Sequence, residues 1–372
     1  MAATNQHELI ERIHTSGHGC VLALTGGGSQ AIADLLTVPG ASSTVIEAVV
    51  PYAEPALAEW LGGKFDQACS EPTARAMAMA AFERARRLSA ADPHTLCGLG
   101  ATASLATNRP KRGPHRAFVA WQSADATVSF MCDFIKGRRE RSEEESLATE
   151  LVLHAVAEAC GVNSKLPHEF SAEEPVARRE KRAPAEWTEL LLGERASVDV
   201  RLKGPPRVIL SGAFNPLHAG HCRMAEVASA RCDAPVTLEL SIANVEKPTL
   251  DFLEIEARLA GLADFPVLLT RAATFVEKAA LVPGALFVVG ADTIARIADE
   301  KYYDGDYKKR DSAIAAIAAK GCRFLVFGRA VNDQFRLPSD LILPSQLRDL
   351  CDEVTESEFR QDISSTELRT EI

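Results

Sequence analysis

The feature that most restricts the fold of this chain is an alternation that persists through both halves of its 372 residues: short apolar runs rich in Val, Leu and Phe are separated by Ala-rich stretches with helical spacing. Runs of this kind suit strands buried on both faces, and the helical stretches between them supply the crossovers that parallel strands need. The alternation predicts an α/β protein, and the length favours two domains over one. In the first half it predicts strands at 21–24, 45–50, 95–99 and 116–121, with helices at 30–36, 71–88 and 143–160. In the second it predicts strands at 207–210, 236–241, 267–269, 286–289 and 322–327, with helices at 220–230, 252–262, 293–298 and 312–319. Both sheets are expected to be largely parallel. The second is expected to be a doubly wound, Rossmann-like sheet, whose ligands sit beyond the carboxyl ends of the strands.

Between 161 and 206 the chain turns mixed in charge and rich in Pro, with EEPVARREKRAP (Glu173 to Pro184) at its centre. No period is sustained there, so the reading is a connector with at most one short helix. The expected division is a first domain at 1–162, a connector at 163–205 and a second domain at 206–372.

A net charge of −10 argues against broad electrostatic binding to nucleic acid, which draws its affinity from neutralised phosphates. The nine cysteines are scattered, odd in number and nowhere spaced as a CxxC pair, so reduced, packed thiols are expected and no metal site. The N-terminal MAATNQHELIERIH has no apolar core of a leader, and no stretch is apolar enough to span a bilayer. These features lead to an expectation of a cytoplasmic protein without membrane contact.

The sharpest local signal is RVILSGAFNPLHAGH (Arg207 to His221), an apolar strand that ends at Ser211-Gly212 before a helix opens near Gly220. Unpaired amides and the macrodipole make a helix start positive, and glycines at 212 and 220 remove side chains that would hold a phosphate away. His218 and His221 are three apart, which places both on one face of the first turn with hydrogen bonds to offer one phosphate. Spacing by itself leaves open two ordinary histidines and a turn at Asn215-Pro216.

Residues 212–221 resemble the G-x-F-[DN]-P-x-H-x-G-H signature of the HxGH nucleotidyltransferase superfamily. That resemblance implies ATP bound along Gly212, Ala213, Phe214, Asn215 and Gly220, with His218 and His221 as catalytic residues. DISSTELR (Asp362 to Arg369) is similar to the ISSTxxR segment of the superfamily's nicotinamide mononucleotide adenylyltransferases. Alone it reads as a capping-box helix start. With the histidine motif it implies Ser364, Ser365 and Thr366 at the outer phosphates of ATP and a charge-assisted fork from Arg369. FVVGADT (Phe287 to Thr293) resembles the family's G-A-D segment, which implies Gly290 against adenosine and Asp292 on its ribose; an Asp capping the next helix fits the sequence equally. ANVEKP (Ala243 to Pro248) stands where the family meets its second substrate, with Asn244 and Lys247 as acceptor-binding candidates and a solvated surface lysine as the alternative for Lys247.

The implied reaction is attack by a substrate phosphate oxygen on the α-phosphorus of ATP, with Mg²⁺ carried by the substrate phosphates. Nicotinamide or nicotinate mononucleotide is the expected acceptor. The family's stacking tryptophan is absent, since Trp60, Trp121 and Trp187 all precede this domain; Phe275, Tyr302 and Tyr303 are the candidate substitutes. Another phosphorylated acceptor, or cytidylyl transfer, would use the same machinery.

Residues from about Val21 to Cys160 look like the CinA C-terminal domain family through TGGG (Thr25 to Gly28), LLTVPGAS (Leu35 to Ser42), VVPY (Val49 to Tyr52) and SEPTARAMA (Ser70 to Ala78). The glycine turn is one that a phosphate could occupy, or a flexible connection. The family's Glu-Ser-Cys is replaced here by Ala23-Leu24, its lysine by Leu57, and its Thr-Gly-Ile-Ala-Gly-Pro by Gly100 to Leu105. The expectation is a degenerate domain kept for homo-oligomer formation, stability or ligand sensing. The alternatives are an amidohydrolase working through Thr25 to Gly28 and Tyr52, and a noncatalytic nucleotide sensor.

Overall fold

The computed structural model describes residues 2–108, 111–166, 170, 173–244, 248–331 and 334–359. The chain divides into two compact units, Met1–Leu192 with Glu246–Glu254, and Gly193–Val245 with Ile255–Ile372. Among the described residues no helix is long and apolar enough to cross a membrane.

The first unit runs α1 (Ala2–His14), β1 (Gly19–Thr25), α2 (Gln30–Thr37), β2 (Val45–Val49), α3 (Glu54–Trp60), α4 (Glu71–Leu88), β3 (Leu96–Ser104), β4 (His115–Gln122), β5 (Ala126–Phe134), α5 (Arg141–Ala159), β6 (Ala177–Arg182) and α6 (Ala185–Leu192). Its sheet has the order β2-β1-β3-β4-β5-β6. β1 pairs in parallel with β2 and β3, but β3, β4, β5 and β6 are antiparallel to one another, which corrects the largely parallel sheet expected of this half. The connection between Gln122 and Ala126, closed by Ser123 N–H donating to Ala126 O at 2.9 Å, is too short for a crossover, so β5 can only fold back.

α4 begins at the N-cap Ser70, whose hydroxyl accepts from Thr73 N–H at 3.3 Å, with Pro72 in the first turn. It lies directly on β3 because two strand residues lack Cβ atoms. A methyl at Gly98 would fall 2.1 Å from Phe82 N, and one at Gly100 2.2 Å from Ala74 O. α5 contributes Leu147, Leu151, Val152 and Val156 to the core on the other side, with Leu22, Leu24, Leu99 and Phe130.

The expected connector is more structured than its composition suggests. Ala177–Arg182 (ARREKR) is an edge strand on β5, exposed along most of its length, where charged side chains remain in water and deter further pairing.

The second unit runs β7 (Ser197–Val200), β8 (Val208–Ser211), α7 (Ala219–Cys232), β9 (Val236–Ser241), α8 (Phe252–Gly261), β10 (Val267–Thr270), α9 (Phe275–Leu281), β11 (Leu286–Gly290), α10 (Ala291–Ala298), α11 (Tyr307–Ala319), β12 (Arg323–Phe327), β13 (Arg329–Val331), β14 (Gln334–Arg336), α12 (Ser345–Arg348) and β15 (Cys351–Val354). The sheet order is β15-β12-β11-β8-β9-β10-β7, parallel except for β7 at the edge. The chain winds outward from β8 through β9 to β10, then crosses to β11 and winds the other way. The reversal between β8 and β11 opens a crevice at their carboxyl ends. Beneath it Phe287, Val289, Ile294, Ile317 and Phe324 form a buried cluster.

Residues 248–254, which include the first three residues of α8, belong to the first unit. Asp251 is 6% exposed and accepts from Arg75 Nη1 at 2.6 Å, Thr249 donates to Glu83 at 2.6 Å, and the N–H of Phe252 donates to Thr127 at 3.0 Å.

Candidate active site

β8 delivers the chain to the switch point, and the turn into α7 is shaped by Phe214. This residue is 3% exposed and has φ of +46°, a left-handed conformation that a phenylalanine adopts only when its surroundings hold it. Its ring meets His221 edge-on, with centroids 5.1 Å apart, and lies where a side chain at 212 would be: a methyl on Gly212 would come within 2.8 Å of the ring. Gly212 N–H donates to Glu239 O at 3.1 Å, which ties the turn to β9.

His218 is the N-cap residue of α7 and His221 stands in its first turn. The two rings stack with centroids 3.8 Å apart and planes at 26°. His218 N–H donates to Nδ1 of His221 at 3.4 Å, which assigns the His221 proton to Nε2 and leaves that N–H as a donor. Burial, and then the charge of His218, pushes the His221 imidazole down to about 4; burial alone lowers His218. Both are neutral donors near pH 7. The Nδ1 atom of His218 and the hydroxyl of Ser211 are buried without a partner among the described residues. Together with the first-turn amides of α7, the arrangement suits an anion presented at the crevice.

Across the crevice, β11 runs beside β8 with Val288 opposite Leu210, so the carboxyl ends of the two strands lie at the same level. Gly290 ends β11 and N-caps α10, and a Cβ added there would meet nothing within 4 Å. Asp292 is exposed in the first turn of α10. Asn244, also exposed, follows the end of β9. The structure thus gathers Gly212, Ala213, Phe214, Asn215, His218, Gly220 and His221 into one turn, with Gly290 and Asp292 on the neighbouring strand end. Lys247, Ser364, Ser365, Thr366 and Arg369 lie outside the described residues.

Sequence reading missed Arg258, which reaches from α8 to donate to Ala213 O at 3.1 Å and puts a guanidinium against the turn that precedes α7. It also missed Glu239, 1% exposed in β9, which accepts from Thr270 Oγ1 at 2.6 Å and from Lys278 Nζ at 2.7 Å. The signal for Glu239 is a carboxylate inside the apolar run Val236–Ser241. Arg258 has no such signal, because one arginine on a helix face is unremarkable. Of the candidates for ring stacking, Phe275 is used by the core: it meets Phe287 and Phe324 edge-on, each at 5.4 Å. The Tyr303 hydroxyl donates to Ile297 O at 3.2 Å.

In the first unit the glycine turn lines a cavity of about 630 Å³ together with Tyr52 and Arg141. Ala23 and Leu57 are buried in a small cluster with Leu61 and Met77.

Residues 209–371 match the family described as cytidylyltransferase-like. No curated protein matches the chain. Among solved structures, the competence/damage inducible protein CihA from Agrobacterium tumefaciens is 20% identical, with 42% of this chain and 95% of that one covered and a TM-score of 0.35. A competence-damaged protein (CinA) superfamily protein from Escherichia coli is 18% identical over 41% of this chain and 86% of that one, TM-score 0.34. One from Klebsiella pneumoniae is 16% identical over 42% and 98%, TM-score 0.35.

Proposed function

We propose, from the cytidylyltransferase-like domain at residues 209–371, that this protein is an ATP-using nucleotidyltransferase that joins an adenylyl group to a phosphorylated small molecule, with nicotinamide or nicotinate mononucleotide as the acceptor. The observation that carries the reading is the placement of His218 and His221, stacked as neutral donors at the start of α7, at the switch point of a doubly wound sheet. The ISSTELR segment and the CinA-like sequence of the first half are what favour a pyridine nucleotide as acceptor.

In this mechanism an acceptor phosphate oxygen attacks the α-phosphorus of ATP. The new O–P bond forms as the bond to the bridging oxygen of the β-phosphate breaks, and pyrophosphate leaves with that electron pair. No protein nucleophile is required. The rate comes from positioning and charge stabilisation, with the Nε2–H of His221 and the α7 amides serving the α-phosphate and Arg369 assigned to the leaving group by its ISSTELR motif alone. Mg²⁺ bound to the ATP phosphates would neutralise the outgoing charge as part of the substrate.

The test is pyrophosphate release by the full chain from ATP and Mg²⁺ with nicotinamide mononucleotide, nicotinate mononucleotide or phosphopantetheine, beside CTP with phosphocholine. Turnover with a pyridine mononucleotide is expected. Turnover confined to another pair would replace the substrates while retaining the transferase chemistry, and ATP binding without turnover on any acceptor would make the unit a nucleotide sensor.

A further inference from the structure

We propose that the glycine turn of the first unit is an anion seat filled by the chain's own Glu145, and that it excludes phosphorylated ligands from the adjoining cavity while this carboxylate is in place. The inference is independent of the transferase reading.

The seat is built where β1 ends at Thr25 and α2 opens at Gln30. The turn has little freedom: Gly26 and Gly28 have φ of +84° and +80°, and a methyl at Gly26 would fall 2.0 Å from Ala103 O. At Gly28 a methyl would meet Val152 of α5 at 3.0 Å. Packing against β3 and α5 therefore demands the glycines and sets the amides of the α2 start toward α5 at the cavity edge. Such amides attract an anion.

The anion already there is Glu145, from the first turns of α5. Its Oε2 accepts the N–H of Gly28 at 2.9 Å, and its Oε1 accepts the Ser29 hydroxyl at 3.2 Å and the N–H of Gln30 at 3.5 Å. These are the donors that phosphate oxygens would take. The neighbouring residue fixes this arrangement. Glu144, fully buried, holds His115 Nδ1 at 2.8 Å and the N–H of Ala106 at 2.6 Å, so the start of α5 is pinned from a second direction. Arg141, the cation lining the cavity, is likewise engaged, donating to Ala106 O at 3.0 Å and Gly26 O at 3.5 Å. A phosphate entering here would lose its donors to Glu145 and be repelled by it.

The amide resonances of Gly28 and Gln30, followed by NMR in the full chain during titration with inorganic phosphate, report on this turn alone and not on the transferase site. In the wild type they are expected to stay in place. In Glu145→Ala they should move, with an affinity for phosphate higher by about tenfold or more, the gain from removing a charged competitor for several hydrogen bonds. Glu145→Gln, which keeps the side-chain volume and loses the charge, provides the same comparison should alanine unfold the unit. Phosphate shifts in the wild type at the concentrations that move the variants would overturn the proposal, as would a folded variant whose Gly28 and Gln30 amides ignore phosphate.

Discussion

The imidazoles of His218 and His221 lie face to face, 3.8 Å between centroids, and the backbone N–H of the first donates to the ring of the second. Two rings at this distance cannot both be imidazolium cations without strong repulsion, and the partly buried position of His221 adds a desolvation penalty to its charged form. The pair is therefore neutral near pH 7, each ring a hydrogen-bond donor.

If charge stabilisation at His221 is sizeable, His221→Ala should lower pyrophosphate release by about 100-fold or more. Its depressed pKa, near 4 against 6.5 when exposed, also sets a sign for stability. Between those values the unfolded chain binds more protons than the folded one, so stability rises with pH across that window and is lost as pH falls through it. Urea unfolding midpoints of the wild type should drop between pH 6.5 and 4 more steeply than those of His221→Asn. Equal slopes would mean that this histidine is not buried neutral.

Gly212→Ala and Gly290→Ala should separate packing from binding. The first forces a methyl to 2.8 Å from the Phe214 ring, which supports His221 in turn. A loss of about 1–3 kcal/mol in urea unfolding is expected from such overpacking, with weaker ATP binding as well. The second places its methyl in open space and should leave stability unchanged while weakening ATP binding. Unimpaired ATP affinity in Gly290→Ala would remove adenosine from this strand end.

Arg75, 6% exposed, holds Asp251 at 2.6 Å and Glu254 at 3.5 Å within the first unit. Arg75→Met strands a buried carboxylate and should cost about 3–5 kcal/mol in urea unfolding. The double variant Arg75→Met with Asp251→Leu should recover most of this, because the deeply buried carboxylate is gone and Glu254, its side chain 24% exposed, keeps access to water. A double variant as unstable as the single one would mean that the guanidinium acts through packing.

Several elements could be read from local pattern because their signals are local. α4 occupies Glu71–Leu88 and β9 Val236–Ser241, as spacing predicts, since an N-cap serine with proline in the first turn and an uninterrupted apolar run each act over a few residues. The turn between β8 and α7 was legible for the same reason: strand, glycine and helix start are contiguous. β5 and β6 were not, because Ala126–Phe134 mixes polar residues into its run and ARREKR resembles a linker; only a neighbouring strand makes either one a strand.

By itself, the sequence determined elements with strong local signals such as α4 and β9, the α/β character of both halves, and that His218 and His221 share a turn. Tertiary structure alone decided that the first sheet changes from parallel to antiparallel at β3, that Arg258 reaches Ala213, and that Glu145 lies at the start of α2, 117 residues from Gly28 in the chain. The reason is physical. A cap, a turn or an apolar period is set by neighbours along the backbone, whereas a strand's partner or the seat of a buried charge is set by which distant donors and apolar faces the folded chain brings within a few ångströms.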